Sequence, residues 1–406
     1  MIEPIVRWVG TGLLFLVVTL CIAITVIPPF LDDIYYTGPK SDHFDGQRFF
    51  NPDGEDTLRP PGGGNRGSFI WRYLTGNDER PVWPTRVNVS PGYPPAEATP
   101  CPVMRARTAE NWKRCVDTPD PNRMFVTWIG HSTFLIQTQG LNILTDPVYG
   151  DVAGPYGVGP RRVAVPGIAF DDLPKIDLVI VSHNHYDHYD IDTLERLWKR
   201  DRPKIVVSLG NETLMKRRGI EAIARDWGGR VPIRPGVDAI VTRNHHWGSR
   251  WFTDRNRALW SSFVITLPGG NIFFGGDTGM GDGKWPAEAA ALGPVRLALI
   301  PIGAFRFVPG QMGVGSHIGP VDAAEVFARL GATRGIGMHW GTFRLSYEAW
   351  DTPPKLLAAV MKCRGMTGFG TVAIGRPAEI APYAPPVTKR PLDPECLDTD
   401  AVRALK

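Results

Sequence analysis

Three histidines and an aspartate lie within six positions of the chain, in the run SHNHYDHYD. The histidines are His183, His185 and His188, and Asp187 lies between the last two. The run follows IDLVIVS, an apolar segment typical of a buried strand, so residues two apart point the same way as the chain leaves the sheet. Imidazoles and carboxylates are ligands that zinc accepts in sites that keep a coordination position open for water. A polar turn without a metal would not need three imidazoles, so we predict a metal site here.

Three later residues extend this set of ligands. His246 lies in TRNHHWGSR, Asp277 in FFGGDTGMG and His339 in GIGMHWGTF, each after a strand-like or apolar segment. Folds of the α/β class place their sites at the carboxyl ends of strands. Each residue is weak evidence when taken alone. Together with the first run they make seven ligands, which is enough for two ions that share a carboxylate.

Short apolar segments and amphipathic segments alternate from Met124 onward, and this pattern predicts a layered α/β (α+β) architecture with sheets at its centre. Strands are predicted at MFVTWIG, TFLIQTQ and LNILTDP and at 176–182, 204–208, 239–243, 262–267, 271–274 and 296–301. Helices are predicted at 192–200, 211–218, 321–330 and 354–363. Residues after Arg376 are rich in proline and predicted to be irregular.

The uncharged segment from Trp8 to Ile27 is long enough to cross a membrane as a helix. Arg7 precedes it and Asp32 and Asp33 follow it, which predicts a cytoplasmic N-terminus and a catalytic domain on the exported, periplasmic-type side. A cleaved signal peptide and a buried core helix are the alternatives. We divide the chain into a transmembrane anchor (8–28), an irregular extension that wraps the domain (29–121), a hydrolase domain (122–380) and a proline-rich tail (381–406).

Net charge and cysteine content indicate which partners and which cellular compartment to expect. The net charge is +4 and the chain has no compact run of Lys and Arg, so we expect no nucleic-acid partner. Outside the apolar segment there are four cysteines, for which we expect the local pairs Cys101–Cys115 and Cys363–Cys396 in an oxidising compartment. Four unpaired thiols remain the alternative.

The run SHNHYDH contains the HxHxDH signature of the metallo-β-lactamase superfamily, and His246, Asp277 and His339 follow in the order expected for it. The segments WIGHSTFLIQTQGLNILTDPVYG, NHHWGSR, GGDTG, SHIGP and MHWGTF resemble the N-acylphosphatidylethanolamine phospholipase D-like branch, and DHFDGQRFFNPDG resembles the leader of its bacterial members. The resemblance covers roughly Asp42 to Ile380. It implies a metallo-β-lactamase αββα sandwich, here preceded by a transmembrane helix.

The resemblance also implies roles for individual residues in a site with two Zn²⁺ ions, although other divalent metals remain open. One ion would be bound by His183, His185 and His246. The second would be bound by Asp187, His188 and His339, with Asp277 bridging the two. His317, in SHIGP, matches a family histidine that acts on the substrate or leaving group; as a bare residue it could equally be a histidine at the start of a helix.

For residues near these ligands the sequence suggests roles on weaker grounds. Asp146, in LTDP, could orient a ligand histidine or be a turn carboxylate. Trp247 and Trp340 follow ligand histidines and could line the pocket or belong to the core. His131 and His245 are interpreted as structural neighbours rather than ligands.

We expect a phospholipase D-type phosphodiesterase, because the branch acts on N-acylphosphatidylethanolamine and the anchor would keep the domain beside lipid. A metal-bridging hydroxide would attack phosphorus, Asp187 would orient it or accept its proton, and His317 would protonate the leaving group. A lactonase or other small-ester hydrolase is the enzymatic alternative, and a non-catalytic metal-binding membrane protein ranks lowest. Whether the chain forms a homodimer is open.

Overall fold

The computed structural model describes residues 2–30, 33, 35–54, 81–95, 120–251, 253–307, 311–386, 398–403 and 405. Helix α1 (Ile2–Phe30) contains the 19-residue segment Arg7–Thr25, which is long and apolar enough to cross a membrane and is not buried against the rest of the protein. Helix α1 is therefore not a buried core helix. Its length and composition also fit a signal sequence.

Fourteen strands in the described part of the chain form two sheets of seven strands each. They are β1 (Met124–Gly130), β2 (Thr133–Thr138), β3 (Leu141–Thr145), β4 (Leu178–Val181), β5 (Lys204–Ser208), β6 (Ile223–Arg225), β7 (Arg230–Arg234), β8 (Val237–Thr242), β9 (Ser262–Thr266), β10 (Asn271–Phe274), β11 (Val295–Pro301), β12 (Arg334–Met338), β13 (Phe369–Gly370) and β14 (Pro377–Glu379).

The two sheets are built alike. The first has the order β14-β1-β2-β3-β4-β5-β6 and the second β13-β12-β11-β10-β9-β8-β7. In the first sheet, β14, β1, β2 and β3 pair antiparallel, and β3 to β6 pair parallel. In the second, β7 to β10 pair antiparallel and β10 to β13 parallel. Each sheet therefore has parallel strands whose carboxyl ends share one edge.

Helices cover the outer face of each sheet. They are α2 (Ile191–Asp201), α3 (Asn211–Arg217), α4 (Trp285–Ala290), α5 (Pro320–Leu330), α6 (Thr352–Cys363) and α7 (Asp400–Arg403). Apolar side chains of α2 and α3 pack on the first sheet, and those of α4, α5 and α6 pack on the second. A third cluster lies between the sheets and includes Phe134, Phe263 and Leu299. This arrangement confirms the predicted αββα sandwich.

The strands and helices predicted from the sequence are present with ends shifted by at most a few residues. The prediction that the chain is irregular after Arg376 is wrong for β14, which pairs with β1 through Phe125 and Glu379. Proline has no N–H to donate, and it is tolerated at the first residue of an edge strand, the place of Pro377, because no hydrogen bond of the sheet need be lost there. Strands β6 and β7 were not predicted, because they are short and half-exposed and β7 contains a proline.

The described parts of the extension, 35–54 and 81–95, contain isolated bridges rather than helices or strands, and they pack on the domain. Phe44 and Phe49 are buried against Leu259 and Trp260. Trp83 Nε1 donates to the backbone carbonyl of Glu348 at 2.9 Å.

The cysteine predictions are only partly covered by the described residues. Cys363 is disulfide-bonded, and among the described cysteines Cys21 is free. Cys101, Cys115 and Cys396 lie outside the residues that the structure describes.

Phe263 lies on β9 and is fully buried in the cluster between the sheets, so shortening its side chain should destabilise the fold. Phe263→Ala should lower the free energy of unfolding by about 3–5 kcal/mol, because the lost apolar contacts leave a cavity that close-packed sheets cannot fill. Urea unfolding of the detergent-solubilised protein, followed by tryptophan fluorescence, measures this. Val82→Ala, at a side chain 94% exposed, should change it by less than about 0.5 kcal/mol. Equal effects of the two substitutions would contradict the core assignment.

Candidate metal centre

Residues with metal-binding side chains follow the carboxyl ends of six strands, three in each sheet. In the first sheet these are β1, β3 and β4, which are followed by His131, by Asp146 and by the run from His183 to His188. In the second sheet β8, β10 and β12 are followed by His246, Asp277 and His339. The two sheets therefore present these side chains to each other at one end of the sandwich.

The first group of ligand-type atoms comes from His183, His185, His246 and Asp277, whose donor atoms all lie within 4.8 Å of one another. His185 Nδ1 is 2.8 Å from His183 Nε2 and 3.4 Å from His246 Nε2. Three imidazole nitrogens thus face a common point, as a single cation requires.

The second group comes from Asp187, His188 and His339, together with His131. Asp187 Oδ2 lies 3.5 Å from the Nε2 atoms of both His188 and His339. His131 Nε2 is 3.0 Å from the same carboxylate oxygen and donates a hydrogen bond to it. His131 therefore holds the Asp187 carboxylate in place.

Asp277 lies between the two groups. Its Oδ2 atom is 3.2 Å from His188 Nε2 and 3.0 Å from His339 Nε2 on one side. On the other side it is 3.8 Å from His246 Nε2 and 3.9 Å from His183 Nε2. One carboxylate oxygen thus faces imidazoles of both groups, which is the position of a ligand shared by two cations.

Hydrogen bonds on the far side of the rings decide which nitrogens face the centre. His188 Nδ1 donates to Asp146 Oδ2 at 2.7 Å, and Asp146 also accepts from the amide and hydroxyl of Ser182 at 2.7 and 2.6 Å. Because the Ser182 hydroxyl donates to Asp146, it accepts from His183 Nδ1 at 2.9 Å. His246 Nδ1 donates to the carbonyl of Ser316 at 2.9 Å. Each ring therefore directs the lone pair of Nε2 towards the centre.

Several buried atoms of the centre lack a hydrogen-bond partner among the described residues. They are His185 Nε2, Asp277 Oδ1 and His339 Nδ1. Unsatisfied buried polar groups are costly and uncommon in native structures. Within each group the donor atoms lie within 4.8 Å of one another, and neutral imidazoles with carboxylates form a donor set for a divalent transition metal, so the residues fit such ions.

Burial lowers the pKa of some histidines of the centre, whereas neighbouring carboxylates raise the pKa of others. Burial lowers the pKa of His183 and His246 well below the usual range and that of His185 to about 4, so these rings are neutral. Burial also opposes a charge on His188 and His339, but the carboxylates of Asp277 and Asp187 outweigh it. They raise the pKa of His339 to about 9 and that of His188 well above its usual range.

Three residues of the centre have backbone dihedrals in the left-handed region, where non-glycine residues are uncommon. The φ angles are 53° for His131, 31° for Asp146 and 64° for His339. Each residue directly follows a strand, so the chain turns sharply to bring the side chain towards its partners. Backbone strain of this kind clusters at functional sites and persists only where the surrounding contacts hold it.

The structure brings together all seven residues predicted as ligands, and it places His317 beside them. His317 Nδ1 is 3.8 Å from Asp277 Oδ2, and its side chain is 15% exposed. Burial lowers the pKa of His317 to about 4, so the ring is neutral at neutral pH. Asp146 contacts His188 as the hypothesis of an orienting carboxylate requires.

The two tryptophans that follow ligand histidines have different surroundings. Trp247 packs against His185 with ring centroids 4.2 Å apart, whereas Trp340 lines a separate cavity of about 340 Å³ with Trp128 and Trp350. His131 was interpreted as a structural neighbour, and the sequence reasoning missed its hydrogen bond to Asp187. Its place directly after β1, at the edge where the other ligands gather, was the available signal.

Comparison with known proteins agrees with this geometry. A family model described as a β-lactamase superfamily domain matches residues 141–340. The N-acyl-phosphatidylethanolamine-hydrolyzing phospholipase D 1 of Caenorhabditis elegans is 34% identical over 267 residues, covering 62% of this chain and 74% of that protein. The chain belongs to the metallo-β-lactamase superfamily. Within that superfamily it is similar to the N-acylphosphatidylethanolamine phospholipase D-like branch, and it is a metal-dependent hydrolase.

Further relatives support the same superfamily. The mitochondrial N-acyl-phosphatidylethanolamine-hydrolyzing phospholipase D of Saccharomyces cerevisiae is 30% identical over 70% of this chain, and an uncharacterized protein of Mycobacterium tuberculosis is 36% identical over 59%. The chain spans less than two thirds of both, 62% and 65% respectively. A protein of Veillonella parvula described as a possible metal-dependent hydrolase has the same fold, with a TM-score of 0.51, 16% identity, and coverage of 63% of this chain and 99% of that one.

The raised pKa values predict proton release when this metallo-β-lactamase-fold protein binds metal. In the metal-free protein at pH 7, His188 and His339 carry protons that an ion must displace, because both pKa values lie above that pH. Calorimetric titration of metal-free protein with Zn²⁺, in buffers of different ionisation enthalpy, should show at least one proton released per chain at pH 7. The number should fall as the pH rises past about 9, since His339 is then already deprotonated. Release that is absent at pH 7, or that grows with pH, would contradict the assignment.

Proposed function

We propose that this chain is a dinuclear zinc phosphodiesterase of the phospholipase D type, acting on N-acylphosphatidylethanolamine or a related phospholipid. The observation that carries the proposal is the position of Asp277, whose Oδ2 lies within 3.9 Å of imidazole nitrogens in both ligand groups. Two relatives that carry the name of this activity, at 34% and 30% identity, support the choice of substrate.

The ligand set divides between two ions as follows. His183, His185 and His246 would hold the first, Asp187, His188 and His339 would hold the second, and Asp277 would be shared between them. Two zinc ions, when bound, lower the pKa of water towards neutrality and stabilise negative charge on phosphoryl oxygens. Asp146 and Ser182 fix the tautomers of His188 and His183, so the ligand atoms are oriented before an ion binds.

Asp187, His131 and His317 act on the attacking water and on the leaving group. Water adds to phosphorus and the bond from phosphorus to the N-acylethanolamine oxygen breaks, which leaves phosphatidic acid. The Asp187 carboxylate, held by the N–H of His131, orients the attacking water and takes its proton. Burial lowers the pKa of His317 to about 4, so its neutral ring donates an N–H hydrogen bond to the departing oxygen. The proton that Asp187 took from water then passes to that oxygen, which leaves as the alcohol.

The N-terminal helix supports a lipid substrate. We propose that Arg7–Thr25 anchors the protein in a membrane, with the N-terminus in the cytoplasm and the catalytic domain on the exported, periplasmic-type side. An anchored domain meets phospholipid at high local concentration, whereas a small soluble ester gains nothing from the anchor. The complete ligand set speaks against a non-catalytic metal-binding protein.

Metal content and product analysis of the detergent-solubilised protein test the catalytic proposal. We expect two equivalents of zinc per chain and the release of phosphatidic acid from N-acylphosphatidylethanolamine. Asp277→Ala should lose at least one equivalent and activity together, because the shared ligand is gone. His317→Ala should keep both equivalents while kcat falls about 10²- to 10³-fold, because the departing oxygen loses a hydrogen-bond donor.

Three outcomes would count against this proposal. Zinc content near zero in the wild-type protein would overturn the metal centre. Two equivalents of zinc with cleavage of lactones or small esters alone would leave the fold and metal intact and replace the substrate. Metal without hydrolysis of either class would favour the non-catalytic alternative.

Reporter fusions test the proposed topology. A periplasmic phosphatase fused after residue 406 should be active in a bacterial host, because export allows its disulfides to form, and a cytoplasmic reporter at the same place should be inactive. The mass of the purified protein separates an anchor from a cleaved signal, since an anchor keeps residues 1–30. An active cytoplasmic reporter would contradict export.

A further inference from the structure

The segment 41–54, which we call the leader segment, precedes the hydrolase domain in sequence and lies against the metal centre. It is fixed to the domain by Phe44 and Phe49, which are buried with Leu259 and Trp260. The amide of Phe49 also donates to the carbonyl of Asn256 at 2.8 Å. These contacts hold the end of the leader segment, residues 51–54, beside the loops that follow β8 and β10.

Asn51 contacts the backbone of a proposed ligand. Its Nδ2 atom donates to the carbonyl of His246 at 2.9 Å, and its Oδ1 atom accepts from Trp260 Nε1 at 3.1 Å. Both ends of the amide are therefore used, so its orientation is determined. The carbonyl of His246 is held from outside the domain while the ring of His246 is held by Ser316.

Asp53 joins the loop that carries His246 to the loop that carries Asp277. Both of its carboxylate oxygens lie 3.0 Å from Nδ1 of His245, the neighbour of His246. The same carboxylate accepts from the amide of Asp282 at 2.7 Å. The Asp53 side chain is only 8% exposed, and the His245 side chain is 6% exposed. The bond is therefore protected from competing water.

The two loops also contact each other directly at the same place. The amide of Gly279 donates to the carbonyl of His245 at 2.6 Å, and the amide of His245 donates to the hydroxyl of Thr278 at 3.1 Å. Gly281 has φ 52°, and a Cβ there would collide with Asp53 and His245. The backbone has thus left room for the Asp53 carboxylate between the loops.

We propose that Asn51 and Asp53 are positioning residues of the metal centre, which hold His246 and Asp277 at ligating distance through the loops that carry them. This inference rests on the proposed ligation by His246 and Asp277. A ligand displaced by a fraction of an ångström binds its ion less well, and partners that orient ligands typically contribute ten- to a hundredfold in metal affinity. The leader segment is then part of the site and not a linker.

The chain offers a matched control within the same segment. Asp45 accepts from the amides of Gln47 and Arg48, both at 2.7 Å, and these partners lie within the leader segment. Asp45→Asn therefore makes the same chemical change as Asp53→Asn, eight positions away, without altering a contact to a ligand loop. Asn51→Ala supplies an independent test of the second positioning residue.

The experiment uses full-length protein in detergent, stripped of metal and tested with Zn²⁺ and Co²⁺ alone. Zn²⁺ affinity is measured by competition with a chromophoric chelator, and the visible absorption of the Co²⁺ form reports ligand geometry. We expect Asp53→Asn and Asn51→Ala to weaken the binding of at least one ion about ten- to a hundredfold and to change the Co²⁺ spectrum. Asp45→Asn should stay within twofold with an unchanged spectrum.

Thermal unfolding of the metal-free variants separates positioning from general destabilisation. If the Asn51 or Asp53 variant lowers metal affinity while its metal-free Tm equals that of Asp45→Asn, the inference holds. It is overturned if both variants bind Zn²⁺ within twofold of wild type, or if Asp45→Asn loses as much affinity. If Asn51→Ala does not fold, Asp53→Asn, which keeps the shape of the side chain, decides. Wild-type protein that binds no metal would instead overturn the proposed centre, which is a distinguishable failure.

Discussion

A single buried carboxylate oxygen, Asp277 Oδ2, lies among imidazoles contributed by both sheets of the sandwich. Burial disfavours the charge on this carboxylate, and His188 and His339 outweigh that effect and hold its pKa well below the usual range. A charged group in the interior is tolerated only when its partners are close and well oriented. The rest of the structure can be understood as the means of keeping those partners in place.

The sandwich does this by directing strand ends to a common edge. His188 and His339 come from different sheets, and the apolar cluster between the sheets fixes their distance. The glycine before Asp277 brings its loop against the first sheet: Gly276 has φ 57°, and a Cβ at that position would lie 2.6 Å from Cβ of Ser182. Close packing of the core therefore determines ligand distances, because a shift of either sheet would separate atoms that must share an ion.

A divalent cation between the two groups would satisfy charged and polar atoms that are buried here. The carboxylates of Asp277 and Asp187 raise the pKa values of His188 and His339, so an ion that binds to these rings must displace their protons. At His183, His185 and His246 the effect of burial is larger than that of the carboxylates, so these rings are neutral. Nδ1 of His185 faces Nε2 of both other rings. Binding free energy that an ion gains here also stabilises the fold, because the unfolded chain has no such preformed site.

Much of the candidate metal centre could be predicted from the sequence. The contacts that could not be predicted join residues far apart in the chain. The run from His183 to His188 was predictable because spacing within one turn fixes its geometry. His246, Asp277 and His339 were predictable because each follows an apolar segment whose end must lie at the site edge. The pairing of His131 with Asp187 was not, since it joins residues 56 positions apart and depends on a turn with positive φ. The strands β6, β7 and β14 were also missed, because three to five partly exposed residues show no clear periodicity.

The leader segment is the clearest case of a contact that no local pattern predicts. Asn51 and His246 are 195 positions apart, and Asp53 and His245 are 192 apart. Asn, Pro, Asp and Gly in succession are typical of a turn, and nothing in this composition indicates a contact with a distant loop. The same small polar side chains, once Phe44 and Phe49 fix the segment on the domain, are short enough to reach the backbone of both ligand loops. The role of the segment therefore depends on the surface against which it packs, which its composition does not reveal.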